Sequence, residues 1–242
     1  PFVRTVSDGS SGYCQRMTGM DLGVTIFLTD LSIGPIELAQ EVEARGFSSI
    51  WLPEHTHIPT SRRTPAPMGE PLDEEYRRCL DPFVTMGMMT AVTERVRLGT
   101  GISLLAERDP IVTAKEVATL DHVSAGRISL GIGYGWNIEE LENHGGSKKT
   151  RRAVVRERIL AMQELWGEEA AAFHGEHVQM AESWAWPKPT QQVQGRTGVP
   201  VLVGGAPGPI LFEHIAEFAD GWIPVCGAGV AAAMADLHEA GE

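Results

Sequence analysis

Long hydrophobic runs are missing from this 242-residue chain. Nothing approaches the roughly 20 consecutive apolar residues that would span a bilayer, so no membrane association is expected. Pro1–Gly19 holds no continuous apolar core and is rich in Ser, Gly and Thr, which does not read as a secretory leader. Cysteine is scarce. Cys14, Cys79 and Cys226 stand far apart, without the paired spacing of a zinc knuckle or a redox pair. Three scattered thiols fit a reducing, cytoplasmic compartment. Positive charge is short too: 20 basic against 32 acidic residues leave a formal net charge of -12. Such a surface repels phosphate backbones, making nucleic acid a poor partner.

What is present suits an ordinary globular enzyme, with 43% hydrophobic and 21% charged residues. The length fits one large α/β domain, read here as residues 20–242 behind a disordered or non-native extension, 1–19. From Met20 onward short apolar runs alternate with amphipathic stretches, the pattern of repeated βα units. Strands are expected at Leu22–Leu28, Ser48–Leu52, Arg95–Ile102, Arg127–Gly131, Val199–Val203 and Gly221–Val225. Between them, Ser32 and Asp81 are candidate helix caps, each with a proline soon after. Further helices are expected over Ile111–Val123, Thr150–Trp166, Ile210–Phe218 and Val230–Ala240, with Val154, Ile159, Met162 and Leu165 inward on the second of these. An irregular Trp- and Pro-rich insertion, Phe173–Gln194, follows the fourth unit. The expected fold class is therefore a (β/α)8 TIM-barrel type lacking its last two βα units in this chain.

In a parallel barrel the chemistry sits at the C-terminal strand ends. Those ends carry Pro53-Glu54-His55, Thr100-Gly101-Ile102, Gly131 to Asn137, Gly204-Gly205-Ala206 and Pro224, residues that are polar or backbone-permissive where a core wants bulk. The alternating Gly131, Gly133 and Gly135 imply that something needs the backbone close, or else a tight turn. The turn from Gly204 to Pro209 precedes a helix whose free N–H groups make a phosphate seat, with a plain Gly-Pro turn as the alternative. His55-Thr56-His57 invites a metal reading, yet the later strand ends supply glycine and proline rather than further ligands. No metal site is assigned. A neutral His55 handling a proton beside a redox-active ring fits better.

The runs Ser49–Pro59, Arg97–Ile102, Ala114–Asp121, Leu130–Asn137 and Val203–Gly205 resemble the luciferase-like monooxygenase superfamily, and more closely its coenzyme F420-dependent oxidoreductase branch. The resemblance implies a barrel with an insertion after strand four, a homodimer, and a small organic substrate. It implies His55 near the reactive face of the ring, with Glu54 as a possible orienting partner, and a non-prolyl cis peptide at Gly101–Ile102 backing that ring. Thr100, Gly133, Tyr134, Gly135, Trp136 and Asn137 would line the cofactor. Its phosphates would rest on Gly204, Gly205, Ala206 and Gly208, with Arg151 and Arg152 meeting an anionic tail. Where some F420 dehydrogenases of the family carry a glutamate proton donor after the strand-four glycines, this chain has Trp136, so the acid is unassigned and a sugar-phosphate or alcohol substrate is disfavoured. FMN is the alternative cofactor, serving a monooxygenase. A metal-dependent hydrolase and a non-catalytic fragment are the more remote readings.

Overall fold

The computed structural model describes residues 21–225 and 230–240. The proposed 1–19 extension lies outside them. Six strands form one parallel sheet: β1 (Gly23–Thr25), β2 (Ser49–Leu52), β3 (Arg97–Thr100), β4 (Ile128–Ile132), β9 (Val201–Gly205) and β10 (Gly221–Pro224), adjacent in that order. Their connections run through α1 (Pro35–Ala44), α2 (Pro82–Thr90), α3 (Pro110–Val123), α4 (Ile138–Asn143) with α5 (Arg151–Gly167), and α6 (Pro209–Phe218). After β10 comes α7 (Val230–Ala240). This is the curled α/β half-barrel that the βα alternation announces, because parallel neighbours need a crossover between them.

Local chemistry explains the boundaries. Asp81 caps α2 by accepting from the Val84 N–H at 2.9 Å, and Asp109 caps α3 through Val112 at the same distance, each with proline at the first helical position. Helix α1 departs from expectation. Gly34 is its N-cap, while Ser32 closes a separate turn on Thr29. Strand β1 is shorter than the apolar run Leu22–Leu28 because, after Ile26 bonds to Trp51 O, the chain leaves β2: Leu28 O accepts from Leu80 and Thr29 bridges Cys79. On α5 the buried face begins at Val155 rather than Val154, and continues through Ile159, Met162 and Leu165.

The insertion is more ordered than its composition suggested. It contains two antiparallel hairpins, β5 (Ala171–His174) with β6 (Gln179–Ser183), and β7 (Gln192–Val193) with β8 (Arg196–Thr197). Buried Glu157 of α5 accepts three backbone N–H groups from Glu176, His177 and Val178, tying the first hairpin to the helix. Asp121 of α3 does the same for Thr190 and Gln191. The core lies between sheet and helices, where Ile50, Leu98, Ile128, Leu130 and Val203 meet Met86, Val117, Ile159 and Met162. Helix, sheet and insertion together hold the C-terminal strand ends in one place.

Candidate active site

Strands β2, β3, β4 and β9 are consecutive in the sheet, so the segments leaving Leu52, Thr100, Ile132 and Gly205 emerge side by side. His55 emerges three residues after β2 and is buried. Its Nδ1 lies 2.7 Å from Glu140 Oε2, and its Nε2 accepts from the Trp136 indole N–H at 3.2 Å. Indole nitrogen only donates, so Nε2 must carry the lone pair and Nδ1 the proton. Glu140 in turn accepts the Thr56 N–H at 2.9 Å and lies 3.4 Å from Asn137 Nδ2. The carboxylate is wholly buried. It therefore fixes the tautomer and orientation of the imidazole, and would stabilise the imidazolium if one formed.

Sequence reasoning missed Glu140. A signal was there: Asn137 is the N-cap of α4 and Glu140 its third residue, the spacing of a capping box. Here the glutamate turns across to His55 and meets its cap only through the Asn137 side chain, not its backbone N–H. Glu54, expected to orient His55, has other partners. Its Oε2 accepts from Ser103 Oγ at 2.7 Å and Leu104 N at 2.8 Å, and its Oε1 from Arg108 Nε at 2.6 Å. Arg108 also reaches Asp81 and Glu116. The orienting carboxylate is Glu140. Glu54 braces the segment after β3.

That segment contains the Gly101–Ile102 peptide, which is cis. The Ile102 side chain lies across the mouth between β4 and β9: a Cβ at Gly133 would fall 2.5 Å from Ile102 Cδ1, and one at Gly204 would fall 2.6 Å from Ile102 Cγ2. These glycines make room for Ile102. Gly131 is tighter still, its Cβ position being 2.0 Å from Thr100 O. Thr100 is fully buried and donates its hydroxyl to Gly131 O at 2.6 Å, so it joins the strands and its side chain stays out of the mouth. Gly135 has φ of 75°, in the left-handed region that favours glycine.

An aromatic group roofs His55. The Tyr76 ring is 5.3 Å from the imidazole and 5.9 Å from Trp136, and the Arg62 guanidinium stands 5.6 Å over the indole. Arg62 and Tyr76 belong to the long connection between β2 and α2, pinned to α4 by Glu139, which accepts from Arg63 N at 2.9 Å and Thr64 Oγ1 at 2.6 Å. Those bonds hold the Glu139 carboxyl down at about 2. His57, the second histidine of the His-x-His run, bonds to Thr56 and Asn143. Among the described residues no group of three or more His, Cys, Asp or Glu side chains is placed to hold a metal ion.

On the β9 side, Gly204 is buried, Ala206 and Pro207 are exposed, and Gly208 is the N-cap of α6. Tyr134 Oη is 2.7 Å from His214 Nδ1 of that helix, and the Arg152 guanidinium stands 5.5 Å over the Tyr134 ring. Arg151 Nη1 is buried without a hydrogen-bond partner, as are Asn137 Oδ1 and both carboxyl oxygens of Glu107. Burial, then the nearby charges of Glu140 and Glu54, pushes the Glu107 carboxyl up to about 8. Sequence reasoning assigned nothing to Glu107.

A family model described as luciferase-like monooxygenase matches residues 35–242. The chain belongs to that family. Among its relatives is an uncharacterized protein of Mycobacterium tuberculosis (strain ATCC 25618 / H37Rv), 46% identical over 207 residues, covering 84% of this chain and 72% of the relative. An F420-dependent glucose-6-phosphate dehydrogenase of Intrasporangium calvum is 30% identical over 208 residues, covering 81% of this chain and 55% of the relative. Two solved structures share the fold. They are the monooxygenase RslO1 from Streptomyces bottropensis (TM-score 0.73, 23% identity, 92% of this chain and 64% of that one) and an F420-dependent secondary alcohol dehydrogenase in complex with an F420-acetone adduct (0.71, 20%, 91% and 63%). The chain thus spans about half the length of the named dehydrogenase relative and under two thirds of these solved chains.

Proposed function

We propose that this chain forms the cofactor-binding mouth of an oxidoreductase in which coenzyme F420 exchanges a hydride with a small organic substrate while His55 handles the accompanying proton. The observation that carries the reading is the buried His55–Glu140 pair, 2.7 Å apart, at the shared C-terminal end of the strands. A flat phosphorylated ring suits the residues around it. Ile102, seated between Gly133 and Gly204 after the cis peptide, offers an apolar back wall. The unpartnered Arg151 Nη1 and the N-terminus of α6 offer an anion its charge and donors. Bound there, the deazaflavin supplies the hydride site. The chain supplies orientation and proton handling.

His55 is the base of this reading. Its Nε2 lone pair takes a proton from the substrate once the substrate's donor replaces the Trp136 N–H, and Glu140 stabilises the resulting imidazolium. Arg151, Arg152 and the turn carrying Gly204, Gly205, Ala206 and Gly208 hold the phosphate end. Tyr134, Gly135, Trp136 and Asn137 line the ring's other edge. FMN is the second reading, supported by the fold shared with monooxygenases, including a Type II Baeyer-Villiger monooxygenase in complex with FMN (TM-score 0.69).

Parallel titrations of purified protein with F420 and FMN separate the two, with F420 expected to bind more tightly. Binding of neither would sink both. His55→Ala should leave cofactor affinity within about twofold and lower turnover by about a hundredfold, the usual share of a positioned base. Unchanged turnover removes His55 from the mechanism.

A further inference from the structure

We propose that Glu107 is the proton-holding acid of this site, exchanging its proton with the mouth through His144 and Thr56. The inference rests on the oxidoreductase reading above and adds to it the acid that reading lacks. Glu107 closes the short 3-10 turn Leu105–Glu107 after β3, and its side chain is only 1% exposed. A buried carboxyl normally finds hydrogen-bond donors. This one finds none, for both of its oxygens are unpartnered.

The neighbours explain why it keeps a proton. Glu54 and Glu140 face it with like charge. Arg108, adjacent in sequence, is committed to Glu54, Asp81 and Glu116. Arg158 of α5 donates to Leu105 O at 2.9 Å. Neither arginine compensates an ionised Glu107, and burial with those two carboxylates lifts its titration to about 8. A neutral acid and an imidazole base in one site are the arrangement general acid–base chemistry uses.

A route to the mouth is also present. Glu107 Oε2 lies 3.8 Å from His144 Nε2, a gap that a small side-chain rotation closes to hydrogen-bond range. The same Nε2 is 2.8 Å from Thr56 Oγ1, and Thr56 is exposed next to His55. One proton moves and no electrons do. The Glu107 O–H bond breaks as an N–H bond forms at His144 Nε2. That nitrogen passes its proton to Thr56 Oγ1, whose own hydroxyl proton goes to a water or a substrate oxygen in the mouth. Glu107 remains as carboxylate until the same steps in reverse return a proton from water.

Infrared difference spectroscopy on the protein alone tests this. A protonated-carboxyl carbonyl band that Glu107→Gln removes should be present at pH 7 and lost well above pH 8. On transfer into deuterated water that band should shift at once in the unmodified protein, and several-fold more slowly in His144→Phe and in Thr56→Val. Absence of the band at pH 7, or exchange unaffected in both variants, overturns the proposal. A band and route that behave as stated, in a protein that binds neither F420 nor FMN, would leave the proton-holding pair standing and remove the oxidoreductase reading instead.

Discussion

His55, Glu140 and Trp136 show how much one residue's role depends on what its neighbours donate. The indole N–H claims Nε2, so the imidazole proton sits on Nδ1 against Glu140. Glu140→Gln keeps the shape and removes the charge that stabilises an imidazolium. Turnover should fall by at least about tenfold with cofactor affinity little changed, measured as kcat beside a binding titration. The mouth glycines separate by what a methyl group would strike. At Gly131 it meets the Thr100 carbonyl, which cannot move without moving β3. At Gly133 it meets the tip of Ile102, a side chain that can rotate. Gly131→Ala is therefore expected to destabilise by about 1–3 kcal/mol or more in chemical denaturation, and Gly133→Ala by clearly less.

Among the elements, the two capped helices and the long connection after β2 matter most. Asp109→Ala removes one side-chain cap and should lower stability by about 1 kcal/mol. Asp81→Ala should cost more, because Asp81 both caps α2 and receives Arg108, which ties β2, α2 and α3 together through Glu54 and Glu116. Thermal or denaturant unfolding of the two variants side by side checks that order. The connection itself carries Arg62 and Tyr76 over Trp136 and is fastened to α4 by Thr64 and Glu139. Periodicity could not reveal it, for this stretch has none. Its order comes from hydrogen bonds to residues about 75 positions away.

For the molecule as a whole, two carboxyls give opposite pH dependences. Glu107 is raised to about 8 by burial first and by Glu140 and Glu54 next. The stability associated with its proton is fully present below about pH 4.5, the ordinary glutamate value, and is lost as pH rises through about 8. Glu139 is lowered to about 2, so its contribution is present above about pH 4.5 and lost as pH falls through about 2. Unfolding curves across that range should show Glu107→Gln flattening the alkaline limb and leaving the acid limb as it was. A parallel alkaline limb in both proteins would refute the assignment.

The succession of strands, the Asp81 cap and the glycine-bearing strand ends could be read from the chain one residue after another, because each depends on local chemistry: alternation of apolar runs, Asp before Pro, Gly directly after an apolar run. His55 stood out for the same reason, a titratable residue directly after a strand. Packing decided the rest. Glu54 and Glu140 are both acidic residues beside the same histidine in the fold, and only the crossing of α4 over the β2 end gives Glu140 the imidazole while Arg108 takes Glu54. Gly133 and Gly204, 71 positions apart in number, share one isoleucine for the same reason. A contact between distant segments is settled by which surfaces the sheet brings together, and no window of neighbouring residues contains that information.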